Sequence, residues 1–187
     1  MEKLQIVGIA GSLRKGSYNR AALRAAQGLV PEGVSLQTVE IGDLPLFNQD
    51  IETPAPPPVA AFKDAIRAAQ AVLICTAEYN YSMPGVLKNA IDWGSRPYGQ
   101  SAWTKKPVAL LSASPGLLGG ARAQYHLRQC FVFLDMYPLN QPEVMITKAH
   151  EKFDEQGNLK DETARRLIRQ LLQNLADWTR VLEKGRA

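Results

Sequence analysis

The sequence predicts an α/β protein in which a parallel β-sheet carries helices on both faces. Apolar runs alternate along the chain with stretches of helical periodicity, the pattern of strands joined by helical crossovers. The runs "LQIVGIA" (4–10), "AVLICT" (71–76) and "PVALLSA" (107–113) have almost no polar interruption, as strands covered on both faces require. With 45% hydrophobic residues in 187, the chain can bury a substantial core without disulfides or a structural metal.

Each element follows in order. Residues 4–10 are read as a first strand rather than a signal peptide, because the run leads into a basic loop and not into a longer apolar core with a cleavage site. A helix is expected from about Tyr18 to Val30, then a more peripheral, alternating strand in "VSLQTVEI" (34–41). Gly42 to Pro58, closed by "TPAPPP", is too short to link two separate cores, so it is a surface loop and residues 1–187 are one domain. Helix 59–69 leads into strand 71–76, "AEYNYSMPG" turns into helix 84–94, and strand 107–113 runs into the glycine-rich "SPGLLGG". Helix 121–135 and a short fifth strand near Glu143 to Ile146 follow. After the polar turn "DEQGN" comes a last helix with the apolar stripe Ala164, Leu167, Ile168, Leu171, Leu172, Leu175 and Leu182.

Composition excludes several functions. No apolar run approaches the ~20 residues of a membrane span. The net charge of +4 suits an anionic ligand, but no dense basic cluster with interleaved aromatics marks a nucleic-acid surface. His126 and His150 belong to no Cys/His ligand spacing, so no metal site is expected. Cys75 and Cys130 lie in apolar surroundings, which suits free buried thiols in a reducing, cytoplasmic compartment better than a disulfide.

In parallel sheets ligands sit beyond the carboxyl ends of the strands, and the loops leaving three apolar strands, 11–19, 77–83 and 114–120, are rich in polar, aromatic and glycine residues. The first, "GSLRKGSYN", precedes a helix start that Ser17 should cap. From Lys3 to Pro31 there is no Asp or Glu, although Arg14, Lys15, Arg20 and Arg24 are present. Helix starts carry partial positive charge and favour acids, so the missing countercharge points to a bound phosphate. Loop N–H groups, Ser12, Ser17, Asn19 and Arg14 would hold it. A solvated basic turn is the plainer alternative; the position after a buried strand favours the phosphate. Gly11 and Gly16 have P-loop spacing, but Ser17 replaces the required lysine and G-x-G-x-x-G is absent, so a phosphomonoester held without metal fits better than a hydrolysed nucleotide.

In the second loop Tyr79 and Tyr81 flank Asn80, with Ser82 as a candidate helix cap and Pro84 in the first helical turn. Rings beside an amide suit a flat heteroaromatic ligand, although either tyrosine alone would more simply pack over the sheet edge. Glu78 has a second possible role as a general base, with no partner identifiable. In the third loop Ser112 and Ser114 precede Gly116, Gly119 and Gly120, which let backbone approach a ligand closely; alone, this loop is only a turn. Together the loops describe a ligand with a phosphate at one end and planar rings at the other.

"GSLRKGSYN", "PVALL" running to "SPGLLGG", and above all "EYNYSMPGVLKNAIDWGSRP" resemble the NAD(P)H-dependent FMN reductase family, its quinone and chromate reductase branch in particular, over residues 4 to 145. Ala77 stands where that family often has proline. The resemblance implies a flavodoxin-like fold, with a five-stranded parallel sheet in the order 2-1-3-4-5. It implies FMN bound by Ser12, Leu13, Arg14, Ser17, Tyr18 and Asn19 at the phosphate, by Glu78, Tyr79, Asn80 and Tyr81 along the isoalloxazine, and by Ser114 from the third loop. NAD(P)H would be the co-substrate, in a ping-pong cycle through flavin N5 that needs no catalytic side chain. The implied acceptors are small molecules: quinones, flavins, azo compounds or chromate-like anions. Arg96, Arg122 and Tyr125 are candidate substrate residues, with surface solvation as the alternative for both arginines.

Residues 130–134 of helix 121–135 are apolar nearly all round, which asks for cover on both sides. A second copy of the chain is the natural cover, with Arg122, Tyr125 and Arg128 as its polar rim, and the resemblance likewise implies a homodimer or homotetramer. Two other classes compete: a flavodoxin-type single-electron carrier, usually acidic where this chain is basic, and a phosphate-binding signalling module without cofactor.

Overall fold

The computed structural model describes residues 3–185. Its elements are β1 (Leu4–Gly11), α1 (Tyr18–Gln27), β2 (Val34–Val39), α2 (Pro57–Ala68), β3 (Ala71–Thr76), α3 (Gly85–Gly94), β4 (Pro107–Ala113), α4 (Ala121–Leu134), β5 (Tyr137–Pro138), β6 (Val144–Ile146), α5 (Ala149–Lys152) and α6 (Glu162–Lys184). The strands form one parallel sheet in the order β2-β1-β3-β4, with β5 and β6 both pairing to β4 at the fifth position. The expected flavodoxin-like order is therefore present.

The sheet is covered on both faces, as its apolar strands require. One core joins Leu4, Ile6, Leu73 and Leu111 to α1 and α6; the other joins Val7, Ile9, Ile74 and Leu110 to α2, α3 and α4. Every residue of β3 is buried. Full burial of each of its Val, Leu and Ile side chains contributes about 1.5–3 kcal/mol. In α6, Asp161 caps the start by accepting from the Ala164 N–H at 2.8 Å, and Ala164, Ile168, Leu171, Leu172 and Leu175 are buried while Leu167 and Leu182 are half-buried.

Register places the site. Gly11 pairs with Thr76, and Thr76 with Ser112. The carboxyl ends of β1, β3 and β4 thus lie in one row, and the loops that leave them are neighbours in space.

Several boundaries differ from the sequence expectation. The fifth strand is two short pieces, because Pro138 and Pro142 lack the N–H groups that a continuous ladder would need. The loop between β2 and α2 contains a 3₁₀ turn, Gln49–Ile51, and is tied to α3: Trp93 Nε1 and Asn89 Nδ2 donate to the Pro45 carbonyl at 2.7 and 2.9 Å. Helix α2 starts two residues early, with prolines in its first turn, where a missing N–H costs little. The four-residue α5 was too short to leave a periodic signal.

Both cysteines are free; Cys75 is buried in β3 and Cys130 is only half-buried on α4, less covered than its apolar neighbours suggested. Burial pushes the Cys75 thiol well above its ordinary pKa, so little nucleophilic thiolate forms. Cys75 is expected to react with a thiol reagent only after denaturation, read as absorbance released before and after adding guanidinium.

Candidate active site

The first loop leaves β1 at buried Ser12. It turns where the Ser17 N–H donates to the Arg14 carbonyl at 3.1 Å. Ser17 caps α1 as expected, its Oγ accepting from the N–H groups of Asn19 and Arg20 at 3.2 and 3.4 Å. That oxygen's acceptor capacity is used, which leaves the hydroxyl proton to donate to an anion. No acid stands in the first turn.

The uncompensated charge is smaller than the sequence suggested. Arg20 forms a two-pronged pair with Glu40 just past β2, at 2.8 and 2.9 Å, and Arg24 sits in the last turn of α1, where the helix dipole favours it. Arg14 and Lys15 remain, neither paired with an acid among the described residues. The Asn19 amide is also committed inside the protein. Its Nδ2 donates to the Ala113 carbonyl and its Oδ1 accepts from the Ala113 N–H, both at 2.9 Å. The side chain therefore joins α1 to the end of β4 and is not free to donate to a phosphate.

The second loop is a hairpin turn. Tyr79 and Ser82 exchange backbone hydrogen bonds at 2.9 and 3.0 Å, and Asn80 and Tyr81 both have positive φ, 51° and 69°. This is the geometry of a two-residue type I′ turn, strained for a tyrosine. It leaves Tyr79 and Tyr81 53% and 67% exposed, presenting rings outward rather than packing them over the sheet edge. Ser82 does not cap α3; the N-cap is Pro84, and Ser82 Oγ instead meets His126 Nδ1 at 2.9 Å.

Glu78, for which the sequence identifies no partner, lines the cleft and has one at the start of α4. Its side chain is 8% exposed and its carboxylate is turned onto the start of α4. Oε2 accepts from the N–H groups of Arg122 and Ala123 at 3.1 and 3.3 Å, and Oε1 pairs with Arg122 Nη2. The N-cap of α4 is Gly120, which has no side chain to cap with, so Glu78 supplies the cap from another loop. A carboxylate so engaged is not available as a general base.

In the third loop, Ser114 Oγ accepts from the Gly116 N–H at 3.1 Å. Gly120, with φ 91°, lies where a Cβ would stand 2.7 Å from Ser112 Cβ. This glycine serves close packing of the loop on β4, not approach to a ligand.

The three loops enclose a cleft of about 80 Å³ lined by Ser12, Arg14, Ser17, Tyr18, Asn19, Ala77, Glu78, Tyr79, Ala113, Ser114 and Pro115. Leu13, Asn80 and Tyr81 adjoin these in the chain and are exposed. Arg122 reaches the hairpin, its guanidinium 3.6 Å from the Tyr81 ring centroid. Tyr125 donates to Glu143 Oε1 at 2.9 Å, a bond that holds its phenol above the ordinary pKa. Arg128 donates to Asn140 Oδ1 and the Leu139 carbonyl. Arg96 is not part of the cleft. It pairs with Glu52 at 2.9 Å, stacks on Tyr98, and lines a separate cavity of about 420 Å³ between α3 and α4 with Cys130 and Phe133.

The residues that line the cleft, rather than its enclosed volume, suit a phosphorylated planar cofactor. They offer a helix start without acid, serine hydroxyls, aromatic rings and Arg14, which no acid pairs among the described residues, while the one carboxylate of the lining, Glu78, is neutralised. The model of the NADPH-dependent FMN reductase family matches residues 4–151. The chain belongs to that family. Among relatives of this FMN reductase family member, an NAD(P)H-dependent FMN reductase of Pseudomonas aeruginosa is 56% identical over 97% of this chain and 98% of its own. A quinone reductase of Pseudomonas putida is 50% identical over 92% of this chain and 93% of its own. The solved structure of FerB, a flavoenzyme NAD(P)H:(acceptor) oxidoreductase from Paracoccus denitrificans, superposes with a TM-score of 0.87 at 36% identity, covering 95% of this chain and 97% of that one. As a member of the FMN reductase family the protein is an oxidoreductase of the flavin-dependent, nicotinamide-using kind. No helix among the described residues is long and apolar enough to cross a membrane.

Replacing Asn19 with alanine would orphan a buried N–H and a buried carbonyl at Ala113. Asn19→Ala is expected to destabilise the protein by about 2–4 kcal/mol, read from the urea unfolding midpoint.

Proposed function

We propose that residues 1–187 are one FMN-binding domain that oxidises NAD(P)H and reduces quinones, with free flavins, azo compounds and chromate-like anions as further acceptors. The observation that carries this reading is the start of α1: a capped helix terminus with no acid in its first turn and an Arg14 that no acid pairs among the described residues, opening into the same cleft as the aromatic hairpin. The phosphate would take the Ser12, Ser17 and Tyr18 region and Arg14. The ring system would lie along Tyr79, Asn80 and Tyr81, with Ser114 at its edge. When bound, FMN supplies the chemistry, taking a hydride from NAD(P)H and returning electrons to an acceptor at the same face, so ping-pong kinetics are expected. The chain's own residues bind and orient. The N–H groups of Tyr79 and Ser82 are spent within the hairpin, so its part is orientation: the exposed rings of Tyr79 and Tyr81 would border the face that both substrates share. Arg122 and Tyr125 would border the substrate side.

The visible spectrum of the purified protein, before and after NADPH without oxygen, tests the reading. Yellow protein that bleaches on NADPH and recolours with 1,4-benzoquinone is the expected result; protein that stays colourless with added FMN would sink it. Arg14→Ala should weaken FMN binding about tenfold, the loss of one charge-assisted contact, and leave the affinity for riboflavin, which has no phosphate, unchanged. Fluorescence titration with both flavins measures this.

A second copy of the chain is proposed as the cover of α4. Val132 and Phe133 are 84% and 78% exposed on that helix, beside the α3–α4 cavity and exposed Tyr98. Val132→Glu with Phe133→Glu is expected to convert a dimer or tetramer to monomer in sedimentation velocity. The free thiols support a reducing, cytoplasmic location.

A further inference from the structure

Most arginines of the loops and helices around the sheet's carboxyl edge are already committed. Arg20 is neutralised by Glu40, Arg96 by Glu52 in another cavity, and Arg14 stands at the phosphate end. Arg122 is at the ring end. Its side chain is 35% exposed, one edge of the guanidinium is held by Glu78, and its face lies on the ring of Tyr81. Its Nε–H is buried without a hydrogen-bond partner. That buried Nε–H is out of a ligand's reach, but a guanidinium has five donors in a rigid plane, so one gripped at an edge and a face, with its side chain 35% exposed, is preorganised to offer its remaining donors to an acceptor-rich anion.

What holds it there is Glu78. The same carboxylate binds the backbone N–H groups of Arg122 and Ala123 and the Arg122 side chain, so it fixes the residue at both ends. Glu78 leaves β3 directly before the hairpin, which ties the place of Arg122 to the place of the hairpin. A dinucleotide whose nicotinamide lay on the ring face would carry its pyrophosphate beside the hairpin, where Arg122, paired with Glu78 through one nitrogen, still presents guanidinium donors.

We propose that Glu78 is a positioning residue for the reductant: by anchoring Arg122 against Tyr81 it keeps a formed seat for the pyrophosphate of NAD(P)H. The proposal rests on the FMN reductase reading above and assigns to Glu78 a role through Arg122 rather than through the acceptor. A neutral quinone carries no charge for that seat, so the two substrates should respond differently.

The test compares Glu78→Gln, Glu78→Ala, Arg122→Ala and the double variant Glu78→Ala/Arg122→Ala as FMN-loaded protein, with NADPH and 1,4-benzoquinone. Arg122→Ala and Glu78→Ala should raise the KM for NADPH about five- to tenfold, with kcat and the KM for benzoquinone moving less than about twofold, the signature of lost ground-state binding to one substrate. The double variant should be no worse than Arg122→Ala, since Glu78 acts through that residue. Equilibrium binding of NADP⁺, measured by calorimetry, should fall by the same factors without turnover. Glu78→Gln keeps an acceptor for the helix N–H groups and loses the ion pair. It guards against a folding defect: it should melt near the wild type and still raise the NADPH KM. Equal shifts in both KM values, or a double variant that multiplies the single effects, would overturn the role of Glu78 and leave the parent reading intact. Wild-type protein that binds FMN but is not reduced by NADPH would overturn both.

Discussion

The two hydrogen bonds between the Asn19 side chain and the backbone of Ala113 hold the cleft together. Parallel register already sets the ends of β1, β3 and β4 side by side at Gly11, Thr76 and Ser112. Register alone does not say where a helix start will hang relative to them. Asn19, in the first turn of α1, spans from the loop after β1 to the end of β4 and satisfies a buried donor and a buried acceptor together. Because both partners are shut off from water, neither bond can be exchanged for a solvent bond at little cost. The helix start, and the donors it presents, are thereby fixed over the cleft before any ligand arrives.

A second joint follows the same logic with the opposite sign. Helix α4, unlike α1, has no side-chain cap of its own at Gly120, and a carboxylate from the loop after β3 satisfies its N–H groups. One helix start lines the cleft and the other is joined to it through Glu78, and their electrostatics differ. The start of α4 has its anion built in as Glu78, whereas the start of α1 has only a neutral serine cap and the basic Arg14 and Lys15 nearby. An incoming phosphate is favoured at α1 and is redundant at α4. This asymmetry orients a bipolar ligand: phosphate toward α1, rings toward the hairpin.

Much of this was legible in one dimension. Strands 71–76 and 107–113 were placed to the residue, because a buried strand is a local run of apolar side chains bounded by turns. The bare helix start at Ser17 and the cluster of rings at Tyr79 and Tyr81 are likewise properties of neighbouring residues. The hairpin at Asn80 and Tyr81 was not legible: asparagine tolerates positive φ, but nothing in the sequence asks it of the tyrosine. The split of the fifth strand was half-legible, since Pro138 and Pro142 were in view but the pairing they interrupt was not.

By itself, the sequence determined the alternation of strands and helices, the burial of the sheet on both faces and the charge character of the first loop. All of these depend on residues within about one turn of each other, where propensity, periodicity and capping act. Tertiary structure alone decided which polar groups are spent and which remain to offer. Arg20 meets Glu40, Glu78 meets Arg122, Arg96 meets Glu52 and Asn19 meets Ala113 across separations of 20, 44, 44 and 94 residues. Such pairs form only once strand order and register bring distant loops together, and a charge or an amide keeps no mark in the sequence of the partner that will satisfy it.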